Sequence, residues 1–160
     1  MSESQMIFHV GLHKTATSFL QRRIYPLLEG IAYAGYPPPD GQTLRRVAGL
    51  MRPGLPMLVS DEQLSGHPFR RSWIEEFETN VRGLAALFPD ARIIVGFRHH
   101  RPWVISIYKQ YLNKGGTRTL AAFLGLDGAD GLIRERDTRF GTRLDLLEAL
   151  FPGRVFVHTQ

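Results

Sequence analysis

The sequence predicts an α/β fold, a three-layer sandwich around a mostly parallel sheet, and three observations support it. Short apolar runs alternate with segments of helical periodicity, which is typical of βαβ units. Runs such as 92–97 (RIIVGF) are apolar almost throughout, as expected for strands buried on both faces. The 160 residues fit a single domain, predicted to span 1–160, with enough chain to bury a core.

The predicted elements alternate in order along the chain. A strand at 6–11 precedes a helix at 17–29 and a short extended piece at 31–36. A helix at 42–50, a strand at 56–60, a helix at 72–87 and a strand at 92–97 follow. Helices at 102–113 and 141–150 precede a last strand at 154–158. Ligands bind beyond the carboxyl ends of parallel strands, which places a site just after Val10, Ser60 and Phe97.

The composition narrows the function classes. Only three of the 20 basic residues are lysines, and arginine suits phosphate and carboxylate recognition, so an anionic partner is indicated. No recognition helix or basic stretch interleaved with aromatics is evident, which argues against a nucleic-acid partner. The lack of cysteine excludes disulfides and thiolate sites. No apolar run approaches a membrane span and the N-terminus is polar, so a cytoplasmic location is expected.

The turn from Gly11 to Ser18 is the first candidate site. It joins a predicted strand to a predicted helix, where backbone N–H groups and the helix N-terminus attract an anion. Lys14 adds a full charge, and Thr17 and Ser18 add hydroxyl donors. The spacing differs from the ATP-type loop, in which lysine follows the last glycine, so a nucleotide kinase is a poor match. An ordinary strand–helix turn with a capping threonine is the alternative.

The stretch 8–21 (FHVGLHKTATSFLQ) resembles the first motif of sulfotransferases that use 3′-phosphoadenosine 5′-phosphosulfate (PAPS). The resemblance implies a P-loop-like sulfotransferase fold and a PAPS site. In it Lys14 contacts the bridging oxygen of the leaving phosphate. The residues implied to surround the 5′-phosphosulfate are Gly11, His13, Lys14, Thr15, Ala16, Thr17 and Ser18. Glycine is usual at position 16, and alanine there would be strained if the backbone needs a positive φ.

A second motif lies about 80 residues later. Arg98 ends the strand 92–97, and Ser106 follows in the helix that Pro102 is predicted to open. A strand-terminal arginine and a first-turn serine can converge on one phosphate. This arrangement resembles the second sulfotransferase motif, which implies that Arg98 and Ser106 bind the 3′-phosphate. The alternative is an arginine paired with a surface carboxylate and a serine on the helix surface.

Glu62 directly follows a predicted strand and is the candidate general base. Sulfuryl transfer to a hydroxyl needs a group to take the acceptor's proton. Asp61 is the rival, and a helix N-terminus capped by Ser60 or Asp61 is the bland alternative. His13 could also act as base. The six histidines show no metal-ligand spacing, so no metal is expected.

The predicted function is therefore transfer of a sulfuryl group from PAPS to a hydroxyl or amine, leaving 3′-phosphoadenosine 5′-phosphate (PAP). Saccharide, lipid and small-alcohol acceptors all remain open. Family members are usually longer, with a later segment that closes over the adenine, and 1–160 is expected to lack it. The alternative from another class is a non-catalytic anion- or nucleotide-binding module derived from the same fold.

Overall fold

The protein is built on a five-stranded sheet in which every neighbouring pair is parallel. The computed structural model describes residues 5–34, 54–128 and 130–159. The strand order is β2-β3-β1-β4-β5, so β1 lies at the centre. The strands are β1 (Met6–Gly11), β2 (Ala32–Ala34), β3 (Met57–Ser60), β4 (Arg92–Phe97) and β5 (Val155–Thr159). Helices flank this sheet, which confirms the predicted α/β class.

Six α-helices accompany the sheet in the described part of the chain. A short helix α1 (Thr17–Phe19) continues into a π turn (Leu20–Ile24) and a 3₁₀ turn (Tyr25–Leu27), and another 3₁₀ turn (Glu62–Ser65) follows β3. The others are α2 (Trp73–Leu87), α3 (His100–Asn113), α4 (Leu120–Leu124), α5 (Glu135–Thr138) and α6 (Phe140–Leu150). The predicted helix at 42–50 lies outside the described residues.

The two faces of the sheet differ in character. On one face, alternate β1 residues such as Phe8 and Val10 are buried in the main core with aromatic side chains of α2 and α3. On the opposite face, His9 is fully buried and its ring meets that of Tyr25 edge to face. Apolar packing therefore fixes one face, whereas polar side chains occupy the face below the helix that follows β1.

The helix predicted at 17–29 is not regular. Pro26 has no N–H, so the normal α-helical bond to the fourth residue before it cannot form. The segment passes through π and 3₁₀ geometry and ends at Leu27. In the same segment, the carbonyl of Gln21 accepts a hydrogen bond from the hydroxyl of Tyr33, at 3.2 Å.

Two other boundaries correct the sequence prediction. Helix α3 begins at His100 rather than at Pro102, so Ser106 lies in its second turn and not in its first. The stretch between α3 and α6, for which no element was predicted, contains the short helices α4 and α5. Thr119 caps α4 by accepting a hydrogen bond from the backbone N–H of Ala122.

Candidate functional site

The carboxyl ends of the three central strands meet at one edge of the sheet, as the sequence predicted. His9 pairs with Ser60 across β1 and β3, and Gly11 pairs with Gly96 across β1 and β4. The chain leaves each strand one or two residues later. The turns that carry Lys14, Glu62 and Arg98 therefore start side by side.

The turn after β1 has an unusual backbone. Lys14 and Ala16 both have left-handed φ values, of 67° and 58°. Alternation of left- and right-handed residues turns successive N–H groups toward one concavity, which is an anion-binding arrangement. Within the described residues, none of the N–H groups of residues 15–18 donates to a backbone carbonyl. These donors, at the start of α1, are available to an anion.

The hydroxyl groups of this turn are not equivalent. Thr15 donates its hydroxyl proton to the carbonyl of Leu12, at 2.5 Å, so only its backbone N–H remains as a donor. The hydroxyl of Thr17 is buried without a hydrogen-bond partner among the described residues, whereas Ser18 is exposed. A Cβ on Gly11 would lie 2.2 Å from the hydroxyl oxygen of Thr17. Glycine at position 11 thus allows Thr17 to fold over the end of β1.

Replacing Ala16 with glycine is expected to stabilise the fold by about 0.5–1 kcal/mol. Relief of the left-handed alanine is worth roughly 1–2 kcal/mol, and added freedom of the unfolded chain offsets part of it. Urea unfolding measures the change, with Ala85→Gly inside α2 as the matched control, expected to destabilise by about 0.5–1 kcal/mol. An Ala16→Gly protein no more stable than the parent would show that position 16 is unstrained.

Arg98 connects the second motif to this turn. Its guanidinium donates to the carbonyl of Lys14, at 3.4 Å, although 84 residues separate the two along the chain. Ser106 is partly buried, and no hydrogen bond joins it to Arg98 within 5–34, 54–128 and 130–159. The structure therefore brings Arg98 to the turn, whereas Ser106 stays a predicted ligand without a direct bond to Arg98.

Glu62 lies beside His13, a pairing that the sequence did not reveal. Nε2 of His13 donates to the carbonyl of Gly66 at 2.7 Å, because a carbonyl can only accept. Nδ1 of the same ring faces Oε1 of Glu62 at 3.5 Å. Gly66 has a φ of 77°, and a Cβ there would lie 2.5 Å from the carbonyl oxygen of Trp73. The His13 ring, predicted among the cofactor contacts, thus faces the candidate base.

The surroundings keep Glu62 ionised. Burial alone would raise the pKa of Glu62, but the hydrogen bond and charge of His13 lower it, as do the charge and backbone N–H of Lys14. The net effect holds the pKa of Glu62 below its ordinary value. Asp61 differs, because burial raises its pKa, and its Oδ1 accepts from the N–H of Gln63 at 2.8 Å. Asp61 therefore caps the 3₁₀ turn, while Glu62 is a carboxylate ready to accept a proton.

Two indole rings support this arrangement from the core. Trp73 and Trp103 stack with ring centroids 5.9 Å apart. The indole N–H of Trp103 donates to the carbonyl of His13 at 2.8 Å, and that of Trp73 donates to the carbonyl of Ser65 at 2.6 Å. The guanidinium of Arg143 lies over the Trp73 ring, 4.2 Å from its centroid. The stack ties the turn after β1 to the turn after β3.

Beneath the turn, a buried polar group joins β1 to β3. Nδ1 of His9 lies 2.8 Å from the hydroxyl of Ser60, and the side chain of Gln21 donates to the carbonyl of Ser60 at 3.0 Å. Burial, followed by the charge of His158, lowers the pKa of His9 to about 4, against a weaker opposing effect of Glu62. His9 is therefore neutral at neutral pH and has a structural place below the anion-binding turn.

Described residues line two cavities at this edge of the sheet. One, of about 340 Å³, lies beside Arg98 between the start of α3 and the start of α6, where His100 stacks on Phe140 at 4.9 Å. The other, of about 520 Å³, opens beside His13 and Glu62 and extends to α2 and α3. Within the described ranges, no cluster of three or more His, Cys, Asp or Glu residues could hold a metal ion. No helix in that same part of the chain is long and apolar enough to cross a membrane.

The chain resembles known proteins in structure, whereas the comparisons of its sequence found no match. No protein-family model and no curated protein matches the chain. The chain is similar in structure to a sulfotransferase from Alicyclobacillus acidocaldarius, with a TM-score of 0.66 and 14% identity over 99% of this chain and 74% of the other. It is also similar to mouse sulfotransferase SULT7A1 complexed with PAP, with a TM-score of 0.55 and 16% identity.

The two matches differ in how much of the other protein they include. In the mouse comparison, 99% of this chain aligns but only 53% of the mouse chain, so this chain spans about half its length. Both solved structures are sulfotransferases, and both alignments extend over almost all of this chain. The chain therefore has the sulfotransferase fold, which confirms at the level of fold the resemblance carried by its two motifs.

Proposed function

We propose that the chain is a PAPS-dependent sulfotransferase acting on a hydroxyl or amine, with 1–160 as a single domain. The observation that carries the proposal is the turn at residues 11–18. At one sheet edge it presents Lys14, the N–H groups of residues 15–18, and the buried Thr17 hydroxyl. Among the described residues these N–H groups donate to no backbone carbonyl and this hydroxyl has no partner, and Arg98 donates to the same turn. A solved protein of this fold is complexed with PAP, which supports PAP as the product ligand.

The residues present fit such a cofactor. The buried hydroxyl of Thr17 needs a partner, and left-handed residues at 14 and 16 turn the N–H groups outward. Lys14, the Thr17 and Ser18 hydroxyls, and the N–H groups of Gly11, His13, Thr15 and Ala16 are the proposed contacts of the 5′-phosphosulfate. Arg98 and Ser106 are the proposed contacts of the 3′-phosphate, with the smaller cavity beside Arg98 available to the nucleoside.

When bound, PAPS supplies the sulfuryl group. Lys14 would offset the negative charge left on the phosphate oxygen of PAP when its bond to sulfur breaks, and the fixed N–H groups of the turn would do the same without reorganisation. Glu62 takes the proton from the acceptor hydroxyl as the new oxygen–sulfur bond forms. His13 holds the carboxylate in place through Nδ1, while the indole of Trp103 fixes the His13 backbone.

The test is a calorimetric titration with PAP, with 5′-AMP as the matched ligand that lacks the 3′-phosphate. PAP is expected to bind at least about tenfold more tightly, because charge-assisted hydrogen bonds to the 3′-phosphate form only with PAP. Arg98→Ala should remove that preference. Arg101→Ala is the matched control, since Arg101 is exposed on the neighbouring helix α3 and has no proposed contact.

Equal affinity for PAP and 5′-AMP would refute the assignment of the 3′-phosphate site. A 3′-phosphate preference without any release of PAP from PAPS would favour the second candidate, a non-catalytic anion- or nucleotide-binding module. The left-handed alanine at position 16 favours that candidate, because glycine is the residue that adopts this φ without strain.

A further inference from the structure

The cavity of about 520 Å³ beside the candidate base has a polar lining, in which the described residues include two cations, Arg70 and Lys114, and two carboxylates, Glu62 and Glu76. The residues around it are His13, Glu62, Gln63, Gly66, His67, Pro68, Arg70, Glu76, Gln110 and Lys114. We propose that this cavity binds the sulfuryl acceptor, and that the acceptor is a polyhydroxylated compound bearing an anionic group, such as a sugar acid. The inference rests on the proposed function and specifies its acceptor.

The cavity offers hydrogen-bond acceptors that require hydroxyl donors. Oε1 of Gln110 is buried and has no partner among the described residues, and a buried oxygen of this kind is normally paired in a working site. The side chain of Glu62 is 28% exposed, so its carboxylate stays accessible while it pairs with His13. A ligand with several hydroxyl groups satisfies Gln110 and places another hydroxyl on Glu62.

The carboxylates of the cavity already have partners. Glu76 accepts from the hydroxyl of Ser72 at 2.7 Å and from the backbone N–H of His67 at 3.0 Å, and it lies 3.5 Å from Arg70. Glu62 pairs with His13. Neither carboxylate is left to compensate a further cation in the cavity.

Lys114 is that further cation. Its ammonium lies 5.7 Å from the centroid of the Phe69 ring, and no carboxylate lies within 4 Å of it in the part of the chain that the structure describes. Burial lowers the pKa of His67, and the charges of Lys114, Arg70 and His13 lower it further, against a weaker effect of Glu76. Lys114 is therefore a cation of the cavity that no carboxylate of the described residues neutralises by direct contact.

His67 adds a neutral donor. The backbone N–H of Phe69 donates to Nδ1 of His67 at 3.3 Å, which places the proton of the neutral ring on Nε2. Pro68 is the only apolar side chain that the described residues contribute to the lining, whereas a flat hydrophobic acceptor needs an extended apolar wall. The lining thus fits a carboxylate- or sulfate-bearing sugar better than a phenol or a lipid.

The probe is glucuronate, with glucose as the matched neutral sugar, titrated into the protein and followed by NMR. The two differ only in the group at C6. Glucuronate is expected to bind at least about tenfold more tightly, the effect of one added charge-assisted hydrogen bond. Lys114→Met should bring the two sugars to within about twofold of each other, since methionine keeps the packing on Phe69 but loses the charge. Lys109→Met is the control, because Lys109 is exposed on the same helix and does not line the cavity.

Equal binding of the two sugars, no measurable binding of glucuronate, or a preference that survives in Lys114→Met would overturn the proposal. The titrations are run with and without saturating PAP, which separates the two proposals. Glucuronate selectivity without PAP binding would keep the cavity as a site for an anionic sugar but reject the PAPS-dependent function, and with it the role of that sugar as sulfuryl acceptor. PAP binding without glucuronate selectivity would support the PAPS-dependent function and reject the proposed anionic acceptor.

Discussion

Lys14→Ala is expected to lower the release of PAP from PAPS by about a thousandfold while leaving the fold intact. Removing one preorganised charge from the site where negative charge develops costs about 10²–10³ in turnover. Lys14 is only half-buried and its side chain contributes nothing to the apolar core, so the melting temperature should stay within about 2 °C of the parent. Chromatographic measurement of PAP and a thermal melt give the two readouts.

A second consequence of Lys14→Ala separates its role from a general loss of structure. The Lys14 charge helps to hold the pKa of Glu62 down, so its removal should move the acid limb of the residual activity toward higher pH. Lys109→Ala, on exposed surface, should leave both the rate and the pH profile unchanged. If Lys14→Ala kept the turnover of the parent, the proposed role of Lys14 and of the turn after β1 in the reaction would be wrong.

Hydrophobic patterning predicted most of the sheet. The central strands β1 and β4 have the predicted bounds, because each is a nearly continuous apolar run buried on both faces. Helix α2 begins one residue later than expected. The site edge followed from these strands, since parallel strands bring their carboxyl ends together. Local pattern was sufficient wherever burial alone decides the structure.

Contacts between distant residues could not be predicted in the same way. Nothing in the sequence shows that the indole N–H of Trp103 bonds to the carbonyl of His13, 90 positions away. The pairing of His13 with Glu62 depends on the parallel register of β1 and β3. Such pairings depend on the register between strands and on side-chain rotamers. Neither can be read from the local sequence around one residue.

The segment after β1 was predicted from its apolar pattern to be a regular helix, and its irregular backbone made that prediction inaccurate. Its apolar residues suggest an ordinary amphipathic helix, yet Leu27 is 77% exposed and Phe19 is 56% exposed. Pro26 and the π turn rotate the apolar positions away from the sheet, and Tyr25 is the residue that becomes buried. A prediction from helical periodicity assumes 3.6 residues per turn. That assumption fails in this segment, because a π turn is wider and a 3₁₀ turn is tighter than an α-helical turn.

Glu62→Gln is expected to lower turnover by about 10²–10³-fold, because glutamine keeps the shape of the side chain but cannot accept the acceptor's proton. The matched control is Asp61→Asn, which preserves the cap on the N–H of Gln63 and should retain at least about half of the activity. The reverse pattern, with Asp61→Asn inactive and Glu62→Gln active, would make Asp61 the base. The two variants therefore decide between the carboxylates that the sequence left open.

The pH dependence gives Glu62→Gln an independent signature. Because the folded-state pKa of Glu62 lies below its unfolded value, ionised Glu62 stabilises the fold above the ordinary carboxylate range. This contribution is lost as the pH falls through the folded-state pKa, where Glu62 also stops acting as a base. Activity should thus fall on the acid side in the parent, and the limb due to Glu62 should be absent from the residual activity of Glu62→Gln. A mutant that keeps the parental acid limb would show that a group other than Glu62 accepts the proton.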